Sequence, residues 1–123
     1  MAKYIMMAFS NPVPGREDEY NAWYDEYHVP EMLMTPGLVA AQRYRVPPVE
    51  PPDYPGYQPM PYRYLNLMEI ETDDLQKTKQ ILWSPANIGR IRKSDAFDSS
   101  KVVCKIYEPF RPRVTRKKHP PSP

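Results

Sequence analysis

The sequence is poor in glycine and cysteine and has no long apolar run. Only 4 of 123 residues are glycine, too few for the repeated glycines of a dinucleotide- or phosphate-binding loop. The single cysteine, Cys104, excludes an internal disulfide, and its apolar surroundings are typical of a buried strand thiol. No run of about 18 apolar residues is present to cross a membrane, and residues 1–9 are too short for a signal peptide. We therefore expect a soluble, cytoplasmic protein with no membrane partner.

Proline and charge are unevenly distributed along the chain. Of the 17 prolines, seven lie in residues 46–61 and five in residues 109–123. Residues 1–108 hold 12 basic and 15 acidic residues, a net charge of −3, whereas the last 15 residues carry five basic residues and no acid. We predict one domain over residues 1–108 with a proline-rich loop insertion at 46–61, and a basic C-terminal tail at 109–123. A solvated tail is favoured over a contact with an anionic partner, so no nucleic acid is expected.

An aromatic stripe marks the segment from Gly15 to Leu33. Tyr20, Trp23, Tyr24 and Tyr27 have the spacing i, i+3, i+4 and i+7, which places them on one helical face, and His28 extends that face by one residue. Acidic residues at 17–19 favour a helix start near residue 16. Pro30 predicts a kink or a stop around His28. The stripe is typical of the wall of a pocket for a small apolar molecule.

The remaining pattern predicts the order βαββαβ. Segments that alternate between apolar and polar residues, or that are apolar on both faces, predict strands. Thr72 or Asp73 is the predicted N-cap of a second helix, and residues 86–94 predict a further helical turn. The predicted strands cover residues 3–9, 38–46, 62–70 and 101–108. This order is that of the ferredoxin-like α+β fold, in which a four-stranded antiparallel sheet carries both helices on one face. Because several strands are apolar on both sides, we expect a homodimer that covers the other face.

Residues 11–46, NPVPGREDEYNAWYDEYHVPEMLMTPGLVAAQRYRV, resemble the N-terminal half of EthD-like proteins of the dimeric α+β barrel superfamily. Weaker similarity covers residues 62–74 and 94–110. The resemblance implies a homodimeric barrel that binds a small hydrophobic or aromatic compound between sheet and helices. His28 matches the family's helix-one histidine, and Trp23 and Tyr24 match its aromatic pair. The superfamily includes cofactor-free monooxygenases, lactone isomerases, polyketide cyclases, decarboxylases and lyases. This chain departs from the pattern at 46–61, in its tail, and at Asn66.

His28 is the principal candidate for a general acid or base, since imidazole titrates near neutrality. Asp25 and Glu31 lie three residues to either side, and either carboxylate could orient the ring. The structural alternative is a histidine that bonds a backbone carbonyl at the kinked helix end. Asn66 and Tyr24 complete the predicted catalytic set, because a buried carboxamide and a phenol can both bind a substrate oxygen.

Further residues are predicted to contact substrate through apolar or phenolic groups. Core packing is the alternative for each tyrosine. Arg43 and Arg63 could hold a carboxylate, but a cross-strand ion pair with Glu69 is preferred. Tyr54 and Tyr57 could close over a cavity as a lid or pack within a surface loop. The predicted substrate contacts are Tyr4, Met6, Trp23, Tyr27, Tyr44, Tyr64, Trp83 and Ile88.

No set of metal ligands is visible, because there is no His-x-His, no cysteine pair, and His119 lies in the tail. A haem axial role for His28 is an open alternative, but no cofactor is expected. These features favour a cofactor-independent enzyme, a lyase or isomerase, that moves protons on a small aromatic or polyketide-like compound. The alternatives are a cofactor-free monooxygenase, a non-catalytic binder of hydrophobic metabolites, and an interaction protein that acts through its basic tail.

Overall fold

The computed structural model describes residues 1–48 and 60–117. The predictions made for Tyr54, Tyr57 and His119 lie outside these residues. The chain contains four strands and two helical segments in the predicted order βαββαβ. The first helical segment lies between the first and second strands, and the second lies between the third and fourth strands. The elements are β1 Ala2–Pro12, α1 Glu17–Trp23, a π-helical turn Tyr24–His28, α2 Val29–Met32, β2 Leu38–Arg45, β3 Tyr64–Thr72, α3 Leu75–Leu82, α4 Pro85–Gly89 and β4 Phe97–Tyr107.

The four strands form one antiparallel sheet in the order β2-β3-β1-β4. In the register, Ala8 of β1 pairs with Asn66 of β3 on one side and with Cys104 of β4 on the other. Arg43 of β2 pairs with Asn66, so these four residues form one row across the sheet. The strand order and the two helical connections confirm the predicted ferredoxin-like fold.

The helices cover the sheet face that carries this row, and the core beneath them has two parts. One part is aliphatic and sulfur-rich, the other aromatic, because the aromatic stripe of α1 packs on one end of the sheet. The aliphatic part consists of Met6, Met32, Leu38, Met68, Ile70 and Leu82. The aromatic part consists of Tyr20, Trp23, Tyr24, Tyr64 and Ala96. Residues from α1 and the π-helical turn thus lie beside the row that contains Asn66.

The opposite face of the sheet is also apolar along its central strands. Strand alternation places every second residue of β1, β3 and β4 on this face. Most of these side chains are half-buried, and Tyr44 and Tyr107 at the outer strands are 45% and 56% exposed. The apolar members are Ile5, Met7, Phe9, Leu65, Leu67 and Val103.

Two local predictions are corrected by the backbone. The predicted strand 38–46 does not alternate regularly from its first residue, because a bulge between Leu38 and Ala40 buries Leu38 and leaves Val39 52% exposed. A bulge adds one residue to one strand and so reverses the alternation beyond it.

The cap of α3 also differs from the prediction. Asp74, not Thr72 or Asp73, is the cap, and its carboxylate accepts the Lys77 amide at 3.0 Å. The Thr72 hydroxyl instead accepts the Asp74 amide at 3.1 Å. The last strand begins at Phe97, because Phe97 pairs with Pro12 beyond a second bulge.

In the described part of the chain, no helix combines the length and the apolar character that a membrane span requires.

Candidate active site

The first helical layer widens into a π-helical turn at the predicted break. The Val29 amide donates to the Tyr24 carbonyl, five residues back. The reason is Pro30, which has no amide hydrogen and whose ring would collide with the carbonyl four residues earlier in a regular helix. The helix therefore widens and continues through α2 instead of stopping. Such turns occur often at functional sites, and this one carries Tyr24 and His28.

His28 lies at the end of this turn, packed between two aromatic rings. Its ring centroid is 4.7 Å from that of Trp23 and 4.9 Å from that of Tyr24. Burial lowers the pKa of His28 to about 4, while Glu31 raises it and Arg43 lowers it further by smaller amounts. Nδ1 is buried and has no hydrogen-bond partner among the described residues. The ring is therefore neutral at pH 7, and one of its nitrogens is unsatisfied.

The two carboxylates that were predicted to orient His28 are bonded elsewhere. Asp25 Oδ1 accepts from Arg43 Nη1 at 3.0 Å, and Glu31 Oε1 accepts from the Arg92 amide at 2.9 Å. The prediction that either carboxylate orients the ring through a hydrogen bond is wrong. The Asp25 side chain is 63% exposed and Glu31 is half-buried, whereas the imidazole packs against Trp23 and Tyr24.

Two tyrosines from the stripe meet a serine at the sheet. Tyr20 and Ser10 share a hydrogen bond of 2.6 Å, and both are almost fully buried. Burial raises the pKa of Tyr24, and the Ser10 hydroxyl lowers it in lesser part. Burial also raises the pKa of Tyr20 well above its ordinary value. Both phenols are therefore protonated at neutral pH and can act as hydrogen-bond donors.

Asn66 lies on the central strand β3 with its amide under the helices. The residue is 3% exposed, and Oδ1 is buried without a hydrogen-bond partner among the described residues. Its neighbours in the row, Ala8 and Cys104, have small side chains. Tyr64, which lies two residues away on the same face of β3, bonds Glu17 and Asn21 and not Asn66. A buried acceptor without a partner is uncommon in folded proteins.

Arg43 was not among the predicted catalytic residues, yet it lies in the same cluster. Its guanidinium carbon is 4.3 Å from the Tyr24 ring centroid. It pairs with Asp25, and Arg63 pairs with Glu17, so the prediction of ion pairs with Glu69 is wrong. Arg43 and Glu69 are separated along the β2–β3 ladder, in which Arg43 faces Asn66. The alternation of β2 gave a signal for this position, because it placed Arg43 on the same side as the apolar Ala41.

Surface cavities among the described residues include two that are lined by aromatic side chains. One, of about 610 Å³, lies on the outer side of α1, and Trp23 and Tyr27 form part of its wall together with residues 92–95. The guanidinium carbon of Arg92 lies 3.8 Å from the centroid of the Tyr27 ring. The second, of about 190 Å³, includes Tyr44, Tyr64 and Phe9. Neither of these two is lined by His28 or Asn66, but Trp23 contacts both the larger cavity and His28.

The predicted substrate contacts are only partly gathered around His28. Trp23 and Tyr64 lie with Tyr24 in the aromatic part of the core, and Met6 lies in the aliphatic part with Tyr4 packed against it. Tyr27 is 37% exposed and lines the larger cavity. Three others lie apart from this cluster. Tyr44 points to the opposite sheet face through strand alternation, and Trp83 and Ile88 are 48% and 40% exposed on α3 and α4.

No group of three or more His, Cys, Asp or Glu side chains among residues 1–48 and 60–117 is arranged to hold a metal ion. Cys104 is half-buried, and burial raises the pKa of its thiol. A thiol with a raised pKa is a poor nucleophile. The polar groups that His28, Asn66, Tyr24 and Arg43 bring to this cluster are imidazole, amide, phenol and guanidinium.

The comparisons with known proteins define a shared fold. No protein-family model matches the sequence, and no curated protein matches it. The structure is similar to an ethyl tert-butyl ether D (EthD) family protein from Bacillus halodurans C-125, with a TM-score of 0.54, 14% identity, and coverage of 89% of this chain and 100% of the other. It is also similar to a protein from Shewanella loihica PV-4 described as a "putative monooxygenase", with a TM-score of 0.51, 17% identity, and coverage of 94% and 97%. At these identities the similarity shows the α+β fold alone.

Proposed function

We propose that this protein is a cofactor-independent enzyme that transfers protons on a small hydrophobic compound, aromatic or polyketide-like, as a lyase, isomerase, cyclase or decarboxylase does. The observation that carries the proposal is the His28 Nδ1 atom, buried and unpartnered between Trp23 and Tyr24. A neutral imidazole with a free nitrogen can accept a proton from a carbon acid. The flanking rings give an apolar substrate a surface to contact.

The neighbouring groups supply the electrostatic part of this reaction. Removal of a proton next to a carbonyl places negative charge on the carbonyl oxygen. The protonated Tyr24 phenol and the Asn66 amide can hydrogen-bond to that oxygen in a region where burial strengthens such bonds. His28 then returns the proton at another carbon, or a leaving group departs, which gives isomerisation or elimination.

Access and assembly follow from the same geometry. We propose that substrate approaches through the larger cavity, since Trp23 forms part of its wall and contacts the His28 ring.

We also propose a homodimer in which the apolar sheet face that includes Met7 and Leu67 is covered by a second copy. The half-buried, unpaired Cys104 is compatible with a reducing compartment such as the cytoplasm.

Isotope exchange tests the proton transfer before the natural substrate is known. The protein is incubated in D₂O with 2-tetralone and with acetophenone, and loss of the α-proton signals is followed by proton NMR. We expect the wild type to accelerate exchange and His28→Gln to reduce that acceleration by about 10²-fold or more, the usual contribution of a general base. His119→Gln, which changes the other histidine of the chain, serves as the matched control.

Equal exchange rates in the wild type and His28→Gln would contradict the assignment. Retained binding of both ketones without any exchange would instead favour a carrier of hydrophobic metabolites. Unfolding of the variant is checked by far-UV circular dichroism, so that loss of exchange is interpreted only for folded protein.

A cofactor-free monooxygenase is the second candidate, because one structural neighbour is described as a "putative monooxygenase". In that reaction His28 would deprotonate an electron-rich phenol or enol, one oxygen atom of O₂ would enter the product, and the substrate would supply the two electrons that reduce the other atom to water. Oxygen consumption in the presence of a dihydroxynaphthalene distinguishes the candidates. Proton exchange without oxygen uptake favours the first, and uptake that depends on His28 favours the second.

A further inference from the structure

The larger surface cavity has an arginine in its wall whose backbone and side chain are both held in place. The Trp23 indole donates to the Arg92 carbonyl at 3.0 Å, and the Arg92 amide donates to Glu31 Oε1 at 2.9 Å. The guanidinium lies against the Tyr27 ring, with its carbon 3.8 Å from the ring centroid. Arg92 therefore has a defined orientation at the wall of a cavity of about 610 Å³, although the residue is exposed.

The polar edge of this guanidinium has no acceptor in the described part of the chain. Within residues 1–48 and 60–117, neither Arg92 nor the adjacent Lys93 forms a side-chain hydrogen bond or an ion pair. Stacking on a ring occupies only the face of a guanidinium, so the N–H groups in its plane stay available to a ligand. A restrained fork of this kind can bind a carboxylate through two parallel hydrogen bonds.

The acids around the cavity differ in whether they are already paired. Arg16 donates to Glu19 Oε2 at 2.6 Å and to Asp95 Oδ1 at 2.8 Å. Glu26 has no ion-pair partner among the residues that the structure describes. With Arg16 included, the basic and acidic side chains at the cavity are equal in number, so its net charge does not favour an anion. A preference for an anion therefore depends on the directed donors of Arg92.

The rest of the wall offers carbon surface beside these donors. Ala22, Trp23 and Tyr27 line the cavity, and Tyr27 is 37% exposed. The volume lies within the range of sites that hold small organic molecules. A ligand with a flat apolar body and one acidic group matches both parts of the wall.

We propose that this cavity binds an aromatic carboxylate, with the carboxylate on the Arg92 guanidinium and the ring against Ala22, Trp23 and Tyr27. The binding site is argued from the cavity itself, whereas its identification as the place where substrate is first held rests on the proposed function. In that case the substrate is an aromatic acid, and Arg92 is a substrate-binding residue that selects acids over neutral analogues.

The test uses the Trp23 indole N–H as a reporter, because this group donates to the Arg92 carbonyl. The chain has two tryptophans, so Trp83→Phe identifies the Trp23 signal in a ¹H–¹⁵N spectrum. Trp83 does not line the cavity, and its signal serves as an internal control. The full chain is titrated with naphthalene-2-carboxylate, naphthalene-2-carboxamide and naphthalen-2-ylmethylammonium, which share a ring system and differ in charge.

We expect the carboxylate to bind at least about threefold more tightly than the amide or the ammonium, a modest factor because water weakens exposed ion pairs. Arg92→Gln should abolish this preference. Arg111→Gln is the matched control and should retain it, since Arg111 is also exposed and its guanidinium carbon lies 3.9 Å from the Phe110 ring centroid, outside the cavity lining. Glu26→Gln should strengthen carboxylate binding, because it removes an unpaired negative charge from the wall.

Four results overturn the inference: equal binding of carboxylate and amide by the wild type, tighter binding of the ammonium, a carboxylate preference that survives in Arg92→Gln, and no shift of the Trp23 signal with any of the three probes. Far-UV circular dichroism checks that each variant is folded, and both arginines are exposed, so their replacement leaves the core intact.

Failure of the inference and failure of the proposed function give different results. Proton exchange that depends on His28, combined with equal affinity for carboxylate and amide, leaves the proposed function and removes the role of Arg92. A carboxylate preference that depends on Arg92, without any proton exchange, leaves the binding site and removes the proposed function.

Discussion

Acid should destabilise this protein through His28 by an amount that the structure allows to be estimated. The pKa of His28 is about 4 in the folded protein, because burial between Trp23 and Tyr24 disfavours the imidazolium, against 6.5 for an unperturbed histidine. The unfolded chain therefore binds a proton at a higher pH than the folded chain does. Stability from this group is fully present above pH 6.5 and is lost as the pH falls toward 4.

The size of the effect follows from the two pKa values. Each unit of difference corresponds to about 1.4 kcal/mol, so between pH 7 and pH 4 the contribution of His28 to the free energy of unfolding falls by about 3 kcal/mol. About 2 kcal/mol of that loss occurs by pH 5. Glu17, Asp95 and Asp98 also have lowered pKa values, and they too lose stabilising interactions in acid. Their contribution is removed by comparison with a variant that retains them.

Urea unfolding of the wild type and His28→Gln at several values between pH 7 and pH 4 measures this difference. Gln cannot titrate, so its free energy of unfolding should fall less steeply with acid, and the two curves should converge by about 3 kcal/mol over the range. The two proteins need not have the same free energy of unfolding at pH 7, because the test compares how steeply each free energy falls with pH. Parallel curves would show that the imidazole is protonated as easily in the folded protein as in the unfolded chain, which would contradict the burial of the ring between Trp23 and Tyr24.

Two further predictions concern the backbone. Gly37 has a φ of +94°, and a Cβ there would be 3.1 Å from Thr78 Cγ2, so Gly37→Ala should destabilise the fold by about 1–3 kcal/mol, whereas Gly89→Ala, with nothing within 4 Å, should not. Asp74→Ala should cost about 1 kcal/mol through loss of the α3 cap, and Asp73→Ala should be nearly neutral. Thermal unfolding distinguishes each pair, and equal effects within a pair would contradict the structural assignment.

The prediction of which side chains lie together was most accurate where the residues involved are near neighbours in the chain. Tyr20, Trp23 and Tyr24 come together because a helix repeats every 3.6 residues, and Pro30 marks the irregularity at His28 for a local steric reason. The partner of Arg43 could not be found in this way. Arg43 pairs with Asp25 and not with Glu69 because of how the π-helical turn packs against the sheet, which no local pattern specifies.

By itself the sequence determined the order of strands and helices, the inward aromatic stripe and the apolar character of both sheet faces, since these follow from periodicities of two and 3.6 residues and from the rigidity of proline. Only the tertiary structure decided which polar atoms are left without partners. His28 Nδ1, Arg43 Nε and Asn66 Oδ1 come from elements far apart in the chain. Whether each atom has a partner depends on the strand register and on the packing of the helices against the sheet, which arise only when the chain is folded.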